Sequence, residues 1–104
     1  MTDDQRLEIF ERDGWRCQYE GCSSNQIHIA HRINQGTAAR RTIKNYLMRE
    51  YGLDITLSEV KRNYQDHPFN VVSSCQKHND YFNCFFKDNE FKIIVEKIYK
   101  EGQK

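Results

Sequence analysis

Net charge is almost absent from this chain: 16 Lys and Arg stand against 15 Asp and Glu in 104 residues, a formal +1. A balance of that kind excludes indiscriminate binding to polyanions, so any contact with nucleic acid has to be a local patch. Long apolar runs are missing too, and none approaches the roughly 18 residues of a membrane span. The opening Met1-Thr2-Asp3-Asp4 has neither the basic nor the apolar region of a secretory signal, which makes a reducing cytoplasm the expected compartment. There is no internal repeat, low-complexity tract or linker, so residues 1–104 are expected to form a single domain. The hydrophobic share is low at 38%. A chain of this size buries only about 65% of its unfolded surface, which leaves a thin core and invites a covalent or metal staple.

Four cysteines are present, and in a reducing compartment cysteines near histidines are metal ligands before they are disulfides. Cys17-x4-Cys22 and Cys75-x2-His78 form two bidentate pieces of the kind a tetrahedral Cys3His zinc site needs. Such a metal would be structural, tying the start of the chain to its last third. The plainer alternative is a set of ordinary buried cysteines with a solvent-facing histidine. Cys84 stands apart from both pairs and fits a small buried side chain better than a ligand.

Thr2 with Asp3 and Asp4 offers a cap for a short leading helix that carries Leu7 and Phe10 and stops at Gly14. A turn-rich knuckle follows from Trp15 to Asn25. Ile27, Ile29, His31 and Ile33 alternate with His28, Ala30 and Arg32, a period of two that predicts a strand with His31 on its apolar, interior face. Residues 34–66 turn helical, with Thr37 as cap, Ile43, Tyr46 and Leu47 on one face and Gly52 as the stop; Thr56 and Glu59 then have capping-box spacing ahead of a second short helix. Pro68 marks a boundary before a strand over Phe69 to Ser73, and a helix is expected from Cys75 through Phe86. Residues 88–102 form a last helix, in which Phe91, Ile94, Val95 and Ile98 recur at i, i+3, i+4 and i+7 as a packing stripe.

Between the cysteine pairs lie His31 at a strand end and Asn70 at the start of the next strand, with Asn79 and Asn83 four apart on the following helix. That spacing puts two amide oxygens on one helix face, where they could hold a hard divalent cation. A neutral histidine facing them could take a proton from water. Each residue also has a bland reading: His31 as a satisfied core histidine, Asn70 as a turn residue after Pro68, Asn79 and Asn83 as solvent-facing amides. His28 is equally consistent with simple surface, and His67 with a loop.

Cys17-x4-Cys22, Ile29-Ala30-His31-Arg32-Ile33, Pro68-Phe69-Asn70-Val71-Val72 and Cys75-Gln76-Lys77-His78-Asn79-Asp80 together resemble an HNH endonuclease. The likeness runs from Arg12 to Asn83. It implies an α+β fold: a small ββα-metal core with a zinc-bound knuckle, a helical insertion between the two strands, and flanking N- and C-terminal helices. It also implies that His31 is the general base and Asn70 the asparagine bracing the loop that orients it. Asn79 stands where the motif's final histidine usually does, an HNN variant, and with Asn83 would help bind catalytic Mg2+ or another divalent cation. Two departures are visible. Ala30 occupies the position before the base, where relatives commonly carry a metal-binding Asp or His, and the nearest substitute, His28, belongs to the opposite strand face. His78 replaces the more usual fourth zinc cysteine, an exchange zinc accepts.

Arg32, Arg40, Arg41, Lys44 and Arg49 fall in a stretch with no acid, and Arg40, Arg41 and Lys44 take adjoining positions on the expected insertion helix. They could follow a duplex backbone, or they could be a solvated helix face. No base-reading motif is present, so phosphate and shape recognition with little sequence preference is expected. The expected function is hydrolysis of DNA phosphodiester bonds by a small bacterial or phage HNH enzyme, without an organic cofactor or a membrane. Double-strand cleavage would require a homodimer or a protein partner. The alternatives are a catalytically silent, zinc-stabilised nucleic-acid-binding module, motivated by Ala30, and a zinc-bearing protein-interaction domain.

Overall fold

Thr2 opens the first element as expected: its hydroxyl accepts from Gln5 N while Gln5 Oε1 accepts from Thr2 N, a full capping box on α1 (Asp3–Arg12). The computed structural model describes residues 1–82 and 88–103. The remaining elements are β1 (His28–His31), α2 (Thr37–Tyr51), α3 (Leu57–Val60), a π turn (Lys61–Gln65), a 3-10 turn (Pro68–Asn70), β2 (Val71–Ser74), a 3-10 helix (Gln76–Phe82) and α4 (Asp88–Glu101). Together they make a small α+β structure. Among the described residues no helix is long and apolar enough to cross a membrane.

At the end of α1, Trp15 N donates to Phe10 O at 2.9 Å and Gly14 takes φ +70°. This helix ending brings the Trp15 ring to 5.6 Å from Phe10, the apolar contact that usually accompanies it. Beyond it, β1 and β2 pair antiparallel, with His28 opposite Ser74 and His31 opposite Val71. The outer side of β2 does not stay open: Asp13 Oδ2 accepts from Ser73 N at 2.8 Å, and Arg12 donates to Val71 O and Pro68 O, each at 2.9 Å. The end of α1 therefore satisfies backbone groups that a two-stranded sheet leaves unpaired.

Several boundaries differ from the expected ones. The first strand is shorter than Ile27 to Ile33; Ala30 is buried at 1% exposure, and the neighbouring His31 side chain is 11% exposed. Both faces of this sheet carry covered residues, Ala30 and Ser74 on one and Val71 and Ser73 on the other, so alternation alone does not separate a core face from a solvent face. The second strand begins at Val71, since Pro68 to Asn70 close a 3-10 turn in which Asn70 N donates to His67 O. Gly36, not Thr37, is the cap of α2, and Asn34 Oδ1 accepts from Gly36 N to hold that turn. After Cys75 the chain winds as a 3-10 helix through Phe82, not as an α-helix; the expected continuation to Phe86, with Asn83 and Cys84, lies outside the described residues.

The expected helical stops and stripes are present. Gly52 ends α2 at φ +64°, Thr56 and Glu59 form the second capping box, and Phe91, Ile94, Val95 and Ile98 of α4 are all buried. They pack with Ile33, Ile43, Tyr46, Leu47, Val60 and Tyr64 into one hydrophobic core. Tyr51 stacks on Tyr99 at 3.9 Å along its edge. Helices α2, α3 and α4 with the π turn thus form one half of the molecule, and α1, the knuckle, the sheet and the 3-10 helix the other. Ile33, buried in that core just after β1, joins them.

Candidate functional site

The two cysteine pairs meet. Gly21, at φ +83°, turns the knuckle so that Cys22 N donates to Tyr19 O and Cys17 N to Ser24 O, while Gln18 N donates to Ser73 O and docks the knuckle on β2. Cys75 follows β2 directly, and His78 N donates to Cys75 O in the first turn of the 3-10 helix. The ligand atoms of Cys17, Cys22, Cys75 and His78 all lie within 4.8 Å of one another. His78 Nδ1 is 3.3 Å from Cys75 Sγ and 3.7 Å from Cys17 Sγ, and Cys22 Sγ is 3.9 Å from Cys75 Sγ. A tetrahedron built on zinc–ligand bonds of about 2.0–2.3 Å has edges of about 3.3–3.8 Å. The four residues could therefore hold a metal ion such as zinc.

Electrostatics point the same way. Burial raises the Cys17 thiol, but backbone N–H groups of Cys75 and Tyr19, then His78, outweigh it and bring it down to about 6. At Cys22 a bond from the Ser24 backbone favours the thiolate, but desolvation and the Cys17 and Cys75 sulfurs push the thiol above its ordinary value. One thiolate therefore resists a second beside it, a penalty that a divalent cation among the sulfurs removes. Tyr19 stacks face to face on His78 at 3.9 Å, and Tyr81 meets Tyr19 edge-on at 4.7 Å, which fixes the plane of the His78 imidazole.

His31 ends β1 with its side chain 11% exposed, and its Nε2 lies 3.0 Å from Oδ1 of Asp66, whose side chain is 8% exposed. The other Asp66 oxygen is 3.4 Å from the Met1 amino group. Burial holds the His31 imidazole below its ordinary value despite the Asp66 hydrogen bond and charge, so the ring is neutral near pH 7. Burial works against the Asp66 carboxylate, but the His31 bond and the amino group outweigh it and keep the acid below the usual range, hence ionised. His31 lines a small depression together with Arg6 and Phe10 of α1, Ile29 and Gln35.

Asn70 is fully buried and has every amide group in use. Its Oδ1 accepts from Ile33 N at 2.8 Å, and its Nδ2 donates to Ile33 O at 3.0 Å and to Gln65 O at 2.8 Å. Its own carbonyl accepts from Arg32 N at 2.7 Å. These bonds fix the backbone immediately after His31.

Of the other expected site residues, His28 shares the His31 depression and Asn79 does not. Asn79 is exposed in the 3-10 helix; Asn83 lies outside the described residues. His28 is exposed; it lines the His31 depression and also borders an open groove of about 750 Å³ beside Cys22, Cys75 and His78. Ala30, with no donor atom, is packed away. Of the two asparagines expected to hold a hard divalent cation, only Asn79 is among the described residues, where it offers one neutral amide oxygen. Among the described residues, the Cys3His group is the one cluster of His, Cys, Asp or Glu suited to a metal. In the basic stretch, Arg40 donates to Gln65 Oε1 and Gln35 O, and Lys44 to Asp54 Oδ1 and Ile55 O. Arg41 is exposed and Arg32 half-buried.

Three contributors escaped the sequence reading: Asp66, Gln65 and Tyr19. Tyr19 had a signal, being an aromatic ring inside the knuckle. Asp66 is 35 positions from His31, and no local pattern links the two. No protein-family model, curated protein or solved structure matches this chain.

Proposed function

We propose that this chain is an HNH-type endonuclease that hydrolyses DNA phosphodiester bonds, with His31 as its general base and a structural zinc ion on Cys17, Cys22, Cys75 and His78. The observation that carries the reading is the pairing of a neutral, half-buried His31 with a buried asparagine that clamps the next two residues of the chain. A base must keep its lone pair at neutral pH and be held still against the water it activates. Zinc, when bound, supplies a cross-link between the knuckle and the turn after β2 and leaves the chemistry to side chains. His31 takes a proton from water and the oxygen attacks phosphorus. Arg32 and Arg41 supply positive charge for the phosphate backbone. No step is assigned to a second metal.

Ala30 favours a second reading, a silent nucleic-acid-binding module, because the position that relatives use for a metal-binding acid is here a methyl group buried to 1% exposure. One experiment separates them. Zinc-loaded protein is incubated at low salt with supercoiled plasmid, in separate tubes with Mg2+, Mn2+, Ni2+ or no added cation, beside a His31→Ala control. Nicking that falls about 10²–10⁴-fold in the variant is the expected result. Undiminished nicking in His31→Ala removes His31 as the base. Plasmid that is retarded on a gel yet intact in every tube establishes the silent module instead.

A further inference from the structure

We infer that Asp66 is a positioning residue for His31: it holds the imidazole in the tautomer with hydrogen on Nε2, so that Nδ1 is the atom that takes the proton. The inference rests on the nuclease reading for its chemical consequence, but its geometry stands alone. An ionised carboxylate has no hydrogen to give, so a neutral imidazole 3.0 Å away must donate to it, and the ring nitrogen in contact is Nε2. The second nitrogen, Nδ1, is then left as an acceptor.

The carboxylate is itself held. Asp66 follows the π turn, and its N–H donates to Lys61 O at 3.0 Å, so the turn carries one residue more than an α-helical one. Gln65, just before it, is fully buried: its Nε2 donates to Asn34 O and Gly36 O, its Oε1 accepts from Arg40, and its carbonyl accepts from Asn70. On the other side, His67 N donates to Tyr64 O and His67 O accepts from Asn70 N. Asn70 therefore braces both partners, His31 through Ile33 and Asp66 through Gln65 and His67. π turns are uncommon and recur at functional sites, and this one presents its C-terminal acid to the candidate base.

In the reaction, water gives one proton to Nδ1 of His31 as its oxygen forms a bond to phosphorus. The bond from phosphorus to the leaving ester oxygen breaks with its electron pair on that oxygen, which takes a proton from solvent. The imidazolium, stabilised by Asp66 while it exists, later returns its proton to solvent. Asp66 touches neither water nor phosphate in this scheme.

The test reads the tautomer directly. Zinc-loaded, ¹⁵N-labelled full-length chain is examined by long-range ¹H–¹⁵N NMR at neutral pH, with His31 assigned by loss of its signals in His31→Gln. The expected spectrum shows a protonated Nε2 and a bare Nδ1; a proton on Nδ1 in the wild type overturns the inference, and this measurement needs no Asp66 variant to fold. In Asp66→Asn the amide can donate to Nε2, so the tautomer is expected to mix or reverse and kcat for plasmid nicking to fall about 10–10³-fold at unchanged KM. Wild-type tautomer and rate in that variant also overturn the inference. If the tautomer behaves as expected and no protein nicks DNA, the positioning role stands and the nuclease reading falls.

Discussion

Asn70 holds Ile33 by both backbone groups, accepting from its N–H at 2.8 Å and donating to its carbonyl at 3.0 Å from a side chain with no exposure to solvent. Asn70→Ala would strand the Ile33 and Gln65 groups in a dry interior. Each net hydrogen bond contributes about 1 kcal/mol, and a buried group left unpaired costs about 1–3 kcal/mol, so a loss of roughly 2–4 kcal/mol is expected. Asn70→Asp should cost at least as much, because its second oxygen would face two carbonyls. Urea denaturation at fixed pH measures both; a loss below about 1 kcal/mol would show that water replaces the amide.

The metal cluster and the helical core are built from different residues, so metal removal should not destroy both equally. A single zinc ion per chain is expected by native mass spectrometry, and none in a Cys22→Ser, Cys75→Ser double variant. Chelation should collapse the knuckle and the sheet docked on it, since Gln18 N and Cys75 tie them together. Because Ile43, Leu47 and Val95 are buried in the helical core, much of the far-ultraviolet helical signal should survive. A full-strength thermal transition after chelation would mean that the cluster does not carry a structural metal.

Sequence pattern was informative wherever one element determined its own conformation. The capping residues Thr2 and Thr56, the stop at Gly52 and the apolar stripe of α4 follow from spacing within a single helix, and all are present. The Cys-x4-Cys and Cys-x2-His pairs were also visible, because each half-site is local. What was hidden depends on contacts across the chain. The face expected for His31 presumes a sheet with one wet side, whereas both faces carry buried residues, Ala30 and Ser74 on one and Val71 and Ser73 on the other. The π turn has no composition of its own, and without it nothing in Gln65-Asp66-His67 announces a buried amide next to a carboxylate aimed at a histidine. The basic stretch looked uniform, yet Arg40 bonds the buried Gln65 and Lys44 is tied at the surface to Asp54 and Ile55, while Arg41 is exposed.

Acid should weaken the fold in a window set by the buried histidines. Burial holds His31 below the ordinary 6.5, and does the same to His67 against the opposing charge of Glu101. The unfolded chain binds protons at these groups near pH 6.5 while the folded chain resists them, so stability is full above that value and declines as pH falls through the lower folded values. Asp66, depressed below 3.8, adds a loss at more acid pH, as its folded carboxylate finally protonates. Urea midpoints measured from about pH 8 down to pH 5 should fall for the wild type, and less steeply for His31→Gln at the same metal loading. Parallel curves for the two proteins would show that His31 does not contribute to the slope.

Arg40 and Arg41 are neighbours in sequence with opposite expected phenotypes. Arg40 donates to the buried Gln65 Oε1 at 2.8 Å and to Gln35 O at 3.1 Å. Arg40→Ala would leave the Gln65 oxygen unpaired and should cost about 1–3 kcal/mol of stability. Arg41 is exposed on the same helix, so Arg41→Ala should leave the melting temperature unchanged. Its effect should appear in DNA binding, where losing one phosphate contact lowers the slope of log affinity against log salt by about 1. Fluorescence anisotropy on a labelled duplex at several salt concentrations gives that slope, and differential scanning calorimetry gives the stability. If Arg41→Ala leaves the slope unchanged, DNA does not lie along this helix face, and the phosphate contacts must be sought around Arg32 at the end of β1.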